Sequence, residues 1–197
     1  MTGLAFAQIP PEDLQKIEKA IPAQATVKSK QPRRLLVFTR AEGYKHSSIP
    51  YAAQALALMG KQTGAFIAIE SAEMSAFTPE NLRQFDAVFF ASTTQLAFED
   101  LTLRQSLMEF VKSGKGVIGI HAATDNFYNW PEAGDMMGGH FDNHPWQANG
   151  TWTVKIADPS HPLNAGFQNK DFSGVLELLA DGWPRIRANS PGRSAKN

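Results

Sequence analysis

The sequence predicts an α/β fold built on a parallel sheet, and three observations carry that reading. Short apolar runs recur along the chain, as "RLLVFT" (34–39), "AFIAIE" (65–70), "DAVFFAS" (86–92) and "GVIGI" (116–120). Segments with helical spacing or helix-boundary residues separate them. The runs are apolar throughout instead of alternating, as expected of strands covered on both faces.

The elements follow in order. "PPEDLQKIEKAIP" (10–22) reads as a short helix: Pro11 suits the first turn, Glu12 and Asp13 favour the N-terminal dipole, and Leu14, Ile17 and Ile21 share a face. Residues 23–33 are aperiodic and read as a linker. Residues 1–30 are therefore expected to pack loosely, as an appendage. After the first strand, Ser48 is the expected cap of a helix running to Thr63, with Ala52, Ala55, Leu56 and Met59 as its buried stripe and Gly64 as its stop. Pro79 opens a short helix ending near Gln84. Leu103, Leu107, Phe110 and Val111 mark an amphipathic helix closed by Gly114. "TWTVKI" (151–156) is the expected fifth strand.

Composition narrows the function. The chain has 197 residues, enough for one domain with a sizeable core. Lys plus Arg and Asp plus Glu both number 19, a balance that argues against nucleic acid or an anionic membrane as the main partner. No apolar run approaches the roughly 18 residues of a membrane span. Cysteine is absent, which removes disulfides, thiolate metal sites and a cysteine nucleophile. No G-x-G-x-x-G follows the first strand, and "MMGGH" lacks the Lys-Ser/Thr of a phosphate-binding loop. "MTGLAFAQ" reads either as the remnant of a secretory signal or as the frayed start of a cytoplasmic chain, so localisation stays open between cytoplasmic and secreted or periplasmic.

In open α/β sheets ligands bind outside the carboxyl ends of the strands. A flavodoxin-like strand order, 2-1-3-4-5, would bring three such ends together. They carry Arg40, Glu42, Tyr44 and His46 after the first strand, Ser92, Thr93, Thr94 and Gln95 after the third, and His121, Asp125, Tyr128 and Trp130 after the fourth. His121 stands where a buried strand should end, and imidazole serves as acid, base or metal ligand. A backbone-bonded strand-end histidine is the competing reading. In "WPEAGDMMGGHFDNHPW" (130–146), His140, Asp142 and His144 alternate and form a candidate divalent-metal set. Loop-fastening hydrogen bonds are the alternative. Trp130 and Trp146 read as a sugar platform or as cover for the sheet end. His161 reads as a fastener of the turn in "DPSHPLNAGF".

Four motifs, "GYKHSSIP", "GKGVIGIHAATD", "GDMMGGHFDNHPW" and "DPSHPLNAGF", occur in an order and at separations that resemble the ThuA-like (trehalose utilisation) domain family over about residues 34–170. The resemblance implies a class I glutamine amidotransferase-like, flavodoxin-like three-layer fold with a mostly parallel sheet. It carries over to His46, His121, Asp125, His140 and His144. In true amidotransferases the corresponding turn holds a nucleophilic cysteine; here His121 holds that place, so thiolate chemistry on glutamine is excluded. Residues 1–33 then form an N-terminal helix and linker, 34–170 the ThuA-like domain, and 171–197 an atypical tail. That tail lacks the acidic-aromatic stretch of the family and reads as truncated or frame-shifted.

The resemblance implies disaccharide or keto-sugar metabolism. The expected function is binding of a small carbohydrate derivative and acid–base chemistry on it. His121 would be central, oriented by Asp125 or a backbone carbonyl, with His46, Tyr44, Thr93, Thr94, Trp130, His140 and His144 contacting substrate. A non-catalytic sugar-binding module and a fragment of a larger ThuA-domain protein are the rivals. Reaction, metal and oligomeric state stay open.

Overall fold

A computed structural model describes residues 9–143 together with Asp158, Ser160 and His161. The chain divides into two compact units, residues 1–141 and 142–197. In the first, four parallel strands, β1 (Arg34–Phe38), β2 (Ile67–Ser71), β3 (Ala87–Ala91) and β4 (Gly116–Ile120), form a sheet of order β2-β1-β3-β4. Its register aligns Leu36 with Ile69 and Val88, and Phe89 with Ile118. This matches the flavodoxin-like order, 2-1-3-4-5, as far as β4. Residues 151–156, the expected fifth strand, lie outside the described residues.

Alternate residues of β1 and β3 face opposite ways, which divides the core into two layers. Leu36, Phe38, Val88 and Phe90 pack with Phe77, Leu82, Leu107 and Phe110, from the 3₁₀ turn Met74–Phe77, α3 (Pro79–Leu82) and α4 (Leu101–Lys112). Leu35, Val37, Phe89 and Ala91 pack on the other side against Ala52, Ala53 and Leu56 of α2 (Ile49–Thr63). Helices therefore flank the sheet on both faces. One expectation fails on β4: Ile118 and Ile120 are 45% and 43% exposed. Val117 packs on the α4 side, while the two isoleucines of the opposite face are not among the residues packed in the α2 layer.

Two local expectations are also revised. Ser48 stands at the N-cap of α2, but its side chain makes no capping bond; its Oγ lies 3.3 Å from Ser92 Oγ, at the end of β3. The capping bonds are instead made by Thr78 on α3 and Asp100 on α4. The N-terminal helix α1 (Pro11–Ala20) is not loose. Tyr51 of α2 donates to Asp13 at 3.0 Å, Gln62 donates to the carbonyls of Ile21 and Pro22, and Ile21 is buried. The aperiodic linker concealed this docking, because a contact between distant segments leaves no trace in local spacing.

At the amino ends of the strands, Asp86 closes the sheet. Its carboxylate accepts from the Arg34 amide at 2.9 Å, from Arg33 Nη1 at 3.0 Å and from Lys115 Nζ at 3.2 Å. The Arg34 amide first, then the two cations, hold this carboxyl below its ordinary 3.8, against the opposing effect of burial. A carboxyl depressed in the folded state stabilises the protein above its unfolded value and loses that contribution as pH falls through the folded value. Asp86→Asn should therefore cost about 1–2 kcal/mol at pH 7, with the difference from wild type vanishing in strong acid. Urea midpoints between pH 7 and pH 2.5 check this; a pH-independent difference would show that the carboxylate's charge is not the cause.

Candidate functional site

The carboxyl ends of β1, β3 and β4 meet, as parallel pairing requires. β4 runs into a 3₁₀ turn, His121–Thr124, which folds back on its own strand. Gly119 makes the close approach possible, since a Cβ there would sit 2.8 Å from Ala123 Cβ. His121 takes φ +55°, a left-handed conformation that costs an L-residue about 1–2 kcal/mol. Ser92 at φ +49° and Gln95 at φ +54° do the same after β3. Non-glycine residues at positive φ thus gather at the adjacent tips of two strands.

The reversal at His121 leaves its imidazole exposed, and among the described residues no hydrogen bond reaches either ring nitrogen. Its ring meets that of His46, edge to face at 4.3 Å between centroids. His46 in turn meets Tyr44 at 4.8 Å, and Tyr44 is 71% exposed. Two histidines 75 positions apart are thereby in contact, on a surface open to solvent.

Thr93 and Thr94 hold this surface from beneath and do not line it. Both are fully buried. Thr94 donates through Oγ1 to the Tyr44 carbonyl at 2.8 Å, and its own carbonyl accepts from the Glu42 and Gly43 amides. Thr93 accepts from Asn126, so neither hydroxyl faces a ligand. The reason is the turn at Ser92, which sends the chain inward just past the strand. Of the two readings of Trp130, its burial fits that of cover: it is 4% exposed, stacked on Phe98 and covered by the Arg104 guanidinium at 5.4 Å. It closes the core and offers no platform.

Asn126 is the residue that sequence reasoning missed. Buried at the foot of the β4 turn, it shares its two Nδ2 hydrogens among Thr93 O, Thr93 Oγ1 and Ala123 O, while its Oδ1 accepts from the Leu96 amide at 2.9 Å. It ties the β3 loop to the β4 turn. No pattern flags it, because an asparagine in "TDNFYN" reads as one more turn residue.

Among the described residues Asp125 makes no hydrogen bond to His121. Its Oδ1 accepts from the Tyr128 hydroxyl at 2.6 Å, and its backbone carbonyl accepts from the Gln95 amide. Tyr128 also reaches the Phe141 carbonyl at 2.8 Å. His140, after the helix α5 (Pro131–Met137), stacks on the Tyr128 ring and its Nδ1 donates to the Asn126 carbonyl at 3.0 Å. Its Nε2 packs against Gly134, where only a missing Cβ leaves room. His140 therefore acts as a fastener of its loop.

Asp142 belongs to the second unit, is exposed and accepts from Asn143; His144 lies outside the described residues. Among the described residues no three His, Asp or Glu side chains gather where a metal could bind. Also in that unit, Asp158 takes both the amide and the hydroxyl of Ser160, closing the turn assigned to His161. Among the described residues no helix is long and apolar enough to cross a membrane.

The ThuA family profile, described as trehalose utilisation, matches residues 34–178. The chain belongs to the ThuA family. The match starts at the first residue of β1 and includes every strand end described above. Membership ties this ThuA domain to trehalose and sugar utilisation. No curated protein and no solved structure matches the chain.

Proposed function

We propose that this ThuA domain binds a neutral carbohydrate derivative at the tips of β1 and β4 and transfers protons on it through the His46–His121 pair. The observation that carries this reading is the contact itself. His121, held at positive φ and exposed, lies edge to face against His46 at 4.3 Å, with Tyr44 beside it. Strain kept at an exposed tip needs a return elsewhere, and function is the usual one. Imidazole exchanges protons near neutral pH, so one ring of a pair takes a proton while the other gives one. That suits a keto-sugar, where a proton leaves carbon beside the carbonyl and another reaches oxygen. The left-handed turn after β4 supports the likeness to amidotransferases, with His121 in the place of their cysteine and a different chemistry.

The test is turnover. Trehalose and a keto-disaccharide are incubated with unmodified protein, with products followed by NMR. The proposal expects conversion of at least one by wild type and none by the His46→Ala, His121→Ala double variant. Saturable binding without conversion would favour a sugar-binding module instead.

A further inference from the structure

We infer that Gln95 is a specificity-determining residue, its carboxamide pairing with hydroxyls of the sugar bound at the His46–His121 tips. The inference rests on the carbohydrate reading above and adds to it the group that reads the hydroxyl pattern.

Gln95 stands where the two histidine-bearing segments meet. Its amide donates to the Asp125 carbonyl, in the turn that follows His121. Its side chain lies over Gly43, in the loop that leads to His46. A Cβ at Gly43 would sit 2.5 Å from Gln95 Cδ and 2.9 Å from its Oε1, so only a glycine leaves the carboxamide where it is. The loop is itself fixed, because the Thr94 carbonyl accepts from the Glu42 and Gly43 amides and Thr94 Oγ1 donates to the Tyr44 carbonyl. Thr94 and Leu96, on either side of Gln95, are buried, whereas Gln95 is exposed.

The backbone at Gln95 is left-handed, at φ +54°. Glycine takes this conformation freely, and among residues with a side chain asparagine tolerates it well. A glutamine kept there gives up stability for its side chain. That side chain fastens nothing in the fold: among the described residues neither Oε1 nor Nε2 makes a hydrogen bond. A carboxamide presents an acceptor and two donor hydrogens side by side. A pyranose carries hydroxyls on adjacent carbons, each able to give and to take a bond, so the two patterns match. Backed by Gly43, the group is placed before the ligand arrives, which lowers the entropic cost of binding. It is also neutral, so recognition turns on which hydroxyls are present.

Calorimetric titration of the full chain with trehalose and with its monodeoxy analogues tests this. Wild type should bind trehalose, and bind at least one analogue about tenfold more weakly. Gln95→Gly should weaken trehalose about tenfold and erase that preference, while its urea midpoint rises because the left-handed strain is gone. Gln95→Asn keeps a side chain suited to the backbone but withdraws the carboxamide by one methylene, and should bind as Gln95→Gly does. Gly43→Ala displaces the carboxamide without altering its chemistry. It should weaken trehalose several-fold alone and add nothing beside Gln95→Gly. Trehalose binding that survives Gln95→Gly and Gln95→Asn but not His121→Ala overturns the Gln95 contact and leaves the histidine site standing. Equal weakening of trehalose and every analogue, with the preference intact, would make Gln95 a determinant of loop shape and overturn direct recognition. Absence of trehalose binding by wild type overturns both readings.

Discussion

His121→Ala should abolish conversion of the sugar, on the order of 10²–10⁴-fold for a lost proton-transfer group, while leaving the stability read from urea unfolding within about 0.5 kcal/mol of wild type. Both halves follow from the same geometry. The imidazole is exposed and makes no hydrogen bond among the described residues, so its removal strands no buried partner. Its backbone, however, stands at φ +55°. Left-handed conformation costs an L-residue about 1–2 kcal/mol, and glycine escapes that cost while adding about 0.4–1 kcal/mol of unfolded-state entropy. His121→Gly should accordingly be as stable as wild type or up to about 1.5 kcal/mol more stable, and equally inactive. Stability gained with activity lost marks a residue kept for function. A large drop in midpoint with activity retained in the folded fraction would make His121 a structural fastener.

Asn126→Ala should be among the most damaging single changes in the described part of the molecule, at about 3–5 kcal/mol. The side chain is buried, and its loss leaves the Leu96 amide, the Thr93 carbonyl and the Ala123 carbonyl without the partners they have now. Each stranded buried group costs about 1–3 kcal/mol. Because Asn126 joins the β3 loop to the β4 turn, hydrogen exchange should rise first at Leu96, Asp125 and Phe127, before the sheet opens. A loss under about 1 kcal/mol, or uniform exchange, would mean that water replaces the amide and that the strand tips are held elsewhere.

The sheet was legible because its signals are local and repeated. Apolar runs such as "RLLVFT" and "GVIGI" declare strands, and the alternation with helices selects parallel pairing. The position of His121 followed from the same logic, since a parallel sheet delivers the residue after each strand to one end. What surrounds His121 was not legible in the same way. The hydroxyls of Thr93 and Thr94 stand at the correct strand end but turn inward, because the direction of a side chain past a strand depends on one dihedral, at Ser92. Trp130 and Tyr128 are two residues apart and look alike in sequence; which one is buried is decided by Phe98 and Arg104, more than twenty positions away. The Tyr128 hydroxyl as a partner of Asp125 was not legible for the same reason. Docking of α1 through Tyr51 and Asp13, and the exposure of Ile118 and Ile120, likewise depend on what packs against an element from elsewhere in the chain.

The central claim is that His46 and His121 act together on one carbohydrate. Long-range ¹H–¹⁵N NMR of the imidazoles during a trehalose titration tests it most directly, because each ring reports for itself. The account predicts that the His46 and His121 nitrogens shift together along one saturation curve, while His161, in the second unit, stays in place. Shifts confined to one of the two rings, separate saturation curves, or trehalose saturating the protein with both rings unmoved would contradict it.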